Sequence, residues 1–162
     1  DITSPLTIFY LYDNIIFFKM QVFLFNFTFF FAIIVLVIEM DCIFCKIIKG
    51  EIPSYKLYED GMIMIFLDVN PYCPGHALIV PKEHTLDINS ISDDVLMHIM
   101  KHARITAKNI TEALDTDGFT LIQNNGFVQE VKHFHLHVIP KYSKKFEMPI
   151  TEVYEKITQK SE

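Results

Sequence analysis

The chain has 162 residues, 51% of them hydrophobic, and a formal net charge of −6 at pH 7. This length suits one domain with a single core, and the hydrophobic content excludes an intrinsically disordered chain. The acidic balance, without a cluster of Lys and Arg, excludes a protein that binds long nucleic acids through a basic face. A small nucleotide is compatible with this charge. The three cysteines are too few for a disulfide framework, so we expect a reducing compartment.

Residues 1–39 differ in composition from the rest of the chain. They contain nine of the fifteen phenylalanines, and residues 20–38 form nineteen consecutive positions without a charge. A helix of that length would cross a bilayer at ~1.5 Å per residue. As a signal anchor it would leave the next domain in the cytoplasm, because the lysines after it outnumber the one before it. The alternative is a translated non-coding segment or a mispredicted exon before a natural start at Met40. Both interpretations place the functional domain in residues 40–162.

The first half of this domain is predicted to contain a short helix and three strands. Residues 42–48 carry apolar side chains at helical offsets. The strands are predicted over residues 55–59, 62–67 and 76–81. Asp60-Gly61 is a turn dipeptide of the kind that joins two strands in a hairpin, which favours antiparallel pairing of the first two strands.

A long helix and two further strands are predicted in the second half. Ser92 can cap the helix, which continues to about Leu114 with Asp93 and Asp94 in its first turn. The apolar stripe of the helix consists of Val95, Ile99, Ala103, Ala107, Ile110 and Leu114. The two strands and a weak terminal helix are predicted over residues 119–123, 134–140 and 151–160. The predicted fold class is therefore α+β, with about five antiparallel strands, one long helix and short flanking helices.

Residues 133–139 carry the strongest chemical signal, because three histidines alternate with apolar residues over a predicted strand. Strand alternation predicts that His133, His135 and His137 share one face, about 7 Å apart along the strand. A row of imidazoles can supply a nucleophile or acid–base groups, and two of them could instead bind one metal ion. The remaining interpretation is a set of solvated positions on a half-buried strand. Chance rarely places three histidines in this register, which favours a reactive site.

Two further groups have the spacing of metal ligands. Cys42 and Cys45 form a C-x-x-C pair, which supplies half of a tetrahedral zinc site or, alternatively, two small buried side chains. His98 and His102 are four residues apart on the predicted long helix. No third ligand accompanies that pair at helical spacing, so we expect both of these histidines on a solvated helix face.

The alternating pattern at residues 133–139 resembles the triad that names the histidine-triad (HIT) family. The resemblance extends upstream in the same order along the chain. The matching stretches are Cys42 to Ile48, Gly50 to Pro53, Tyr58 to Asp60, Asp68 to Pro71, Gly75-His76 and Pro81 to His84. Ordered agreement over roughly residues 42–142 is far more specific than one short motif. The resemblance implies the HIT-like α+β fold and a homodimer.

The same resemblance implies a hydrolase or transferase that cleaves at the α-phosphate of a purine nucleoside phosphoramidate or a dinucleoside polyphosphate. His135 would be the nucleophile and would form a covalent nucleotidyl-histidine. His137 and His76 would donate to the phosphate oxygens or protonate the leaving group. No catalytic metal is required for that step. The alternatives are a nucleotide- or zinc-binding adaptor with negligible turnover, and a metal-dependent hydrolase that uses the triad as ligands.

Nucleotide contacts are also implied by the resemblance. Asp68 resembles the family's ribose-binding carboxylate. The apolar walls around the base would be Ile43, Phe44, Ile47 and Phe66. The phosphate-binding stretch retains Asn124 and Gln129, but it is about two residues shorter than usual and lacks the glycine that normally precedes Gln129. Glu130 replaces a serine that some members have, so the sequence does not define the leaving group.

One branch of the family binds a structural zinc ion, and this chain has the four corresponding residues. The resemblance implies that the ligands are Cys42, Cys45, His84 and His133. In that branch the first histidine of the triad holds the metal and does no acid–base work. The expected partners of the protein are therefore a small purine nucleotide, a structural zinc ion and a second copy of the chain.

Overall fold

The computed structural model describes residues 42–145 and 147–160, which fall in one unit, Asp41–Glu162. The hydrophobic segment 1–39 and its predicted membrane helix lie outside these residues. None of the helices in the described part of the chain combines the length and the apolar character that a bilayer crossing requires.

The helices and strands follow the predicted order. They are α1 (Ile43–Ile48), β1 (Lys56–Glu59), β2 (Ile63–Leu67), β3 (Ala77–Pro81), α2 (Asp93–Leu114), β4 (Gly118–Gln123), a 3₁₀ turn (Gly126–Val128), β5 (Leu136–Lys141) and α3 (Ile150–Gln159). The five strands pair antiparallel in the order β1-β2-β3-β5-β4. The predicted α+β class is confirmed, and the predicted bounds differ from these by one or two residues.

The central strands β2 and β3 are buried at every position because helices cover both faces of the sheet. Ile63, Ile65 and Leu67 point to one face and join the core that packs against α2 and α3. Met64 and Phe66 alternate to the other face and join a smaller core with α1. The sheet therefore separates the long helix from the face on which α1 lies.

The long helix α2 begins and ends at residues with suitable backbone geometry. The Ser92 side chain accepts a hydrogen bond from the amide of Val95 at 3.5 Å, which confirms the predicted cap. The helix ends at Asp115, which adopts a left-handed conformation with φ 53°. The predicted apolar stripe is buried from Ile99 to Leu114, so the helix packs on the sheet as its sequence indicates.

Gly75 fixes the approach of the loop that enters β3. Its φ is +85°, a conformation that residues with a Cβ rarely adopt. A Cβ at this position would lie 2.7 Å from Leu114 Cδ1 and 3.2 Å from Pro140 Cγ. The loop therefore packs directly against the end of α2 and against β5, and the next residue along the chain is His76.

Candidate active site and metal centre

The prediction that three histidines lie on one strand is only partly correct. β5 begins at Leu136, so His137 lies in the strand and His133 and His135 precede it. The chain leaves the sheet because the amide of Phe134 donates to the carbonyl of Thr85 at 2.6 Å, outside the β3–β5 ladder. His133 and His135 are 0% and 5% exposed, so the interpretation as solvated positions is wrong.

His135 is held in one tautomer by the backbone. Its Nδ1 lies 2.7 Å from the carbonyl oxygen of His133, which can only accept, so Nδ1 carries the proton and Nε2 carries the lone pair. Burial lowers the pKa of His135 below its ordinary value, and the hydrogen bond to the carbonyl only partly opposes this. The ring contacts the edge of Phe44 at a centroid distance of 5.1 Å and the ring of His137 at 4.8 Å. A neutral imidazole with a free Nε2 has the electronic state of a nucleophile.

His76 and His137 form a second hydrogen-bonded pair beside His135. The amide of Tyr72 donates to His76 Nδ1 at 3.3 Å, which places the ring proton of His76 on Nε2. That Nε2 then donates to His137 Nδ1 at 2.9 Å, so the proton of His137 is on its own Nε2. Burial, with the neighbouring His135 and His76, lowers the pKa of His137 to about 4. His137 is therefore a neutral donor at neutral pH.

Asp68 lies at the edge of this histidine pair. Its Oδ2 is 3.5 Å from His76 Nδ1, and its Oδ1 accepts the amide of Asn70 at 2.9 Å. The carboxylate therefore caps the turn before β3 and also faces the site. The turn contact uses Oδ1, which leaves Oδ2 on the side of the site where the ribose contact is expected.

An open cleft of about 340 Å³ lies beside His137. Its walls are formed by Tyr72, Ile122, Asn124, His137, Ile139 and Lys141. A larger cavity of about 980 Å³ shares Tyr72 with this cleft and is also lined by Asp68 and His76. Each of the two spaces falls in the size range of small-molecule sites, and the predicted residue Asn124 lines the smaller one.

The four predicted base-wall residues divide into two groups. Phe44 and Phe66 are buried and pack edge to face at 5.8 Å, so they belong to the core under the histidines. Ile43 is 46% exposed, and Ile47 is half-buried. Only the two isoleucines therefore present open apolar surface to a ligand.

The side-chain amide of Gln129, which belongs to the predicted phosphate-binding stretch, donates to backbone carbonyls. The side chain is buried, and its Nε2 donates to the carbonyls of Leu86 at 2.7 Å and His133 at 3.1 Å. Both amide hydrogens are thus used within the protein. The His133 carbonyl also accepts from His135, so Gln129 and His135 share one acceptor.

The four predicted zinc ligands meet at one point. Cys42 Sγ and Cys45 Sγ lie 3.4 Å and 3.6 Å from His133 Nδ1. Cys45 Sγ is 3.2 Å from His84 Nδ1, and all four ligand atoms lie within 4.8 Å of one another. A tetrahedral zinc ion separates sulfur and nitrogen ligands by about 3.6 Å. His133 Nε2 is 2.9 Å from the carbonyl of Pro81, so its Nδ1 lone pair faces the sulfurs. The donor set and its spacing fit zinc.

The expectation of a solvated helix face at His98 and His102 is wrong. His98 Nε2 is 2.6 Å from Asp60 Oδ2 in the β1–β2 turn, and His102 is only 9% exposed. Helical spacing alone could not indicate Asp60, which is 38 residues away from His98. No motif indicates Tyr72, whose amide donates to His76 and whose ring stacks on the same imidazole at a centroid distance of 5.3 Å.

The chain is similar in sequence and fold to known proteins. The model of the HIT domain family matches residues 49–144. The adenosine 5′-monophosphoramidase of Saccharomyces cerevisiae is 44% identical over 110 residues, which cover 67% of this chain and 67% of the yeast protein. The adenylylsulfatase of Arabidopsis thaliana is 40% identical over 106 residues, covering 64% of this chain and 54% of the plant protein. A Zn-bound histidine triad family protein from Mycobacterium smegmatis superposes with a TM-score of 0.70 at 28% identity, over 75% of this chain and 94% of that one. The chain belongs to the histidine-triad family.

Proposed function

We propose that this protein is a nucleotide hydrolase or transferase that cleaves at the α-phosphate through a covalent nucleotidyl-histidine on His135. The substrate would be a purine nucleoside phosphoramidate or a dinucleoside polyphosphate. The observation that carries the proposal is the 2.7 Å hydrogen bond from His135 Nδ1 to the His133 carbonyl, because it leaves the Nε2 lone pair of a buried imidazole free to attack. The relatives named as a phosphoramidase and an adenylylsulfatase support the same reaction class.

The reaction would proceed by two displacements at phosphorus. In the first, His135 Nε2 forms a bond to the α-phosphorus as the bond from phosphorus to the leaving group breaks. His137 Nε2–H donates a hydrogen bond to a phosphate oxygen as charge develops on it, and the leaving group takes its proton from water. In the second, a water molecule attacks the phosphorus and loses a proton to solvent, and the N–P bond breaks. The nucleoside monophosphate leaves and His135 returns to its starting state.

His76 would support this cycle from one step further away. Its Nε2–H donates to His137 Nδ1 at 2.9 Å, which stabilises the tautomer of His137 that carries a proton on Nε2. The amide of Tyr72 fixes His76 in turn. We propose that Asp68 accepts from the ribose hydroxyls and that Ile43 and Ile47 line the base.

A structural zinc ion at Cys42, Cys45, His84 and His133 is the second part of the proposal. When bound, the ion would supply a crosslink between the start of α1 and the segment that precedes β5. His133 would then contribute its ring to the metal centre and its carbonyl to His135. The Zn-bound relative from Mycobacterium smegmatis supports this assignment.

The test is a trapping experiment on the full chain. An adenosine phosphoramidate and a diadenosine polyphosphate, each labelled in the α-phosphate, are incubated with the protein in the presence of a chelator and then quenched in denaturant. We expect release of AMP, and label bound to wild-type protein but not to His135→Ala. The control is His98→Gln, which lies outside the site and should label like wild type.

Two other functions predict different results. The ligand atoms of Asp68, His76 and His137 lie within 4.8 Å of one another, an arrangement that a metal-dependent hydrolase could use. That mechanism predicts loss of AMP release in chelator and no label on His135. An adaptor predicts AMP binding by calorimetry with no product from either substrate. Either result would contradict the proposed covalent route through His135.

A further inference from the structure

A second group of metal-binding side chains lies where the β1–β2 turn meets the long helix α2. Asp60 comes from the turn, and His98 and His102 come from the first half of the helix. One ligand atom from each of the three residues lies within 4.8 Å of the other two. This cluster shares no residue with the histidine triad or with the Cys42–His133 centre.

The two histidines are arranged as a helical chelate. Residues four apart on a helix lie on the same face, and the rings of His98 and His102 are 4.5 Å apart between centroids. His102 packs against the ring of Tyr58 at 4.4 Å. The imidazole of His102 is nearly buried and faces the ring of His98, so both rings of the pair are directed to one place.

The carboxylate of Asp60 is fixed by the turn in which it lies. Its Oδ1 accepts the amides of Met62 and Ile63 at 2.8 Å and 2.9 Å. Its Oδ2 accepts from the hydroxyl of Tyr58 at 2.9 Å and faces His98 Nε2. Partial burial would raise the pKa of Asp60, but the amides of Ile63 and Met62 and the ring of His98 lower it well below its usual range. Asp60 therefore presents Oδ2 to His98, and its ligand atom lies within 4.8 Å of that of His102.

We propose that Asp60, His98 and His102 bind a divalent transition-metal ion, with Zn²⁺ as the reference ion. Two imidazoles and one carboxylate suit borderline ions and give three protein ligands, which leaves one position of a tetrahedral site for water. The side chains of Asp60 and His98 are 24% and 23% exposed, so an ion can reach them from solvent.

Binding requires only a small rearrangement of the side chains. A tetrahedral ion separates oxygen and nitrogen ligands by about 3.3 Å, whereas Asp60 Oδ2 and His98 Nε2 are now 2.6 Å apart. The ion would replace this hydrogen bond, and His98 would release or relocate the proton on Nε2. The hydroxyl of Tyr58 would continue to donate to Asp60 as an outer partner. The ion would join the hairpin turn to α2.

The experiment measures the zinc content of the full chain at controlled free Zn²⁺, by mass spectrometry of the metal. The variants are Asp60→Asn, which retains an oxygen for the two turn amides, and His98→Gln, which retains a side-chain donor. The matched control is Glu112→Gln, an exposed carboxylate on the same helix. We expect each cluster variant to bind one zinc equivalent fewer than wild type and the control to bind as wild type does.

A second measurement separates this site from the cysteine site. Co²⁺ bound by cysteine gives a sulfur-to-metal charge-transfer band, whereas Asp60, His98 and His102 supply no sulfur. We expect the cluster variants to lose one Co²⁺ equivalent while that band is unchanged. Equal metal content in wild type and both variants would show that the cluster is only a hydrogen-bonded contact and would overturn the proposal. Circular dichroism confirms that each variant is folded, and Zn²⁺ should raise Tm more in wild type than in Asp60→Asn.

Discussion

His133 uses its backbone and its side chain for two different purposes. Its carbonyl oxygen accepts from His135 Nδ1 and from Gln129 Nε2. Its ring donates to Pro81 and turns Nδ1 toward the two cysteine sulfurs. A single residue therefore connects the candidate zinc centre with the candidate nucleophile. Displacement of its backbone would change the orientation of His135 without removing any catalytic group.

The tautomers of the site histidines can be measured directly by NMR. Long-range ¹H–¹⁵N correlation spectra at neutral pH should show His135 protonated on Nδ1, and His76 and His137 protonated on Nε2. The physical reason is that the His133 carbonyl can only accept and the Tyr72 amide can only donate. Because the pKa of His137 is lowered to about 4, its ring should stay neutral when the pH is reduced to 6.

The assignment of these signals requires single variants, since seven histidines are present. His135→Ala should remove one Nδ1–H pattern and leave the His76 pattern in place. An Nδ1–H signal from His76 would show that its proton faces Asp68 instead of His137. The proton on His137 would then not be fixed on Nε2, and the assigned role of His137 as the donor would be wrong.

The sequence predicts the helices and strands well because they depend on short-range periodicity. The period of α2, its Ser92 cap and the five strands are all encoded within a few neighbouring residues. The departure of His133 from the sheet is not encoded locally. It depends on the hydrogen bond from the amide of Phe134 to the carbonyl of Thr85, which is 49 positions away in the chain. The contact of Asp60 with His98 is missed for the same reason. Long-range pairing therefore limits sequence-based prediction of the site more than of the fold.

Gly75 provides a prediction about the loop that positions His76. Gly75→Ala places a methyl group 2.7 Å from Leu114 Cδ1 at a positive φ. Overpacking typically costs about 1–3 kcal/mol, and the left-handed conformation costs a further ~1–2 kcal/mol. We expect a loss of about 2–5 kcal/mol in the free energy of unfolding, measured by urea denaturation, and a lower kcat because His76 is displaced.

The matched control is Gly61→Ala in the β1–β2 turn. A Cβ at Gly61 would have no heavy atom within 4 Å, and its φ is not in the left-handed region. This variant should unfold within ~0.5 kcal/mol of wild type. If Gly75→Ala were equally stable, the loop would have to move away from α2 at little cost, and the close packing would not be what positions His76.

Among the described residues, the exposed faces of α2 and β4 both carry large apolar side chains. β4 is at one end of the strand order, and among the described residues its outer edge pairs with no other strand. Phe119 on β4 is 49% exposed, and on α2 Met97 and Met100 are 66% and 47% exposed. Exposed apolar edges of this kind are commonly covered by another chain. We propose that the exposed faces of α2 and β4 form the interface of the homodimer that the family resemblance implies.

The homodimer is tested by sedimentation velocity of the full chain and two phenylalanine variants. Phe119→Lys places a charge on the proposed interface, and we expect it to shift the wild-type dimer to a monomer, because an unpaired buried charge opposes association. Phe127→Lys is the control, since Phe127 is 96% exposed on the 3₁₀ turn and belongs to neither β4 nor α2. That variant should sediment as wild type does. A wild-type monomer would contradict the proposal, and dissociation by Phe127→Lys alone would place the interface at the 3₁₀ turn instead.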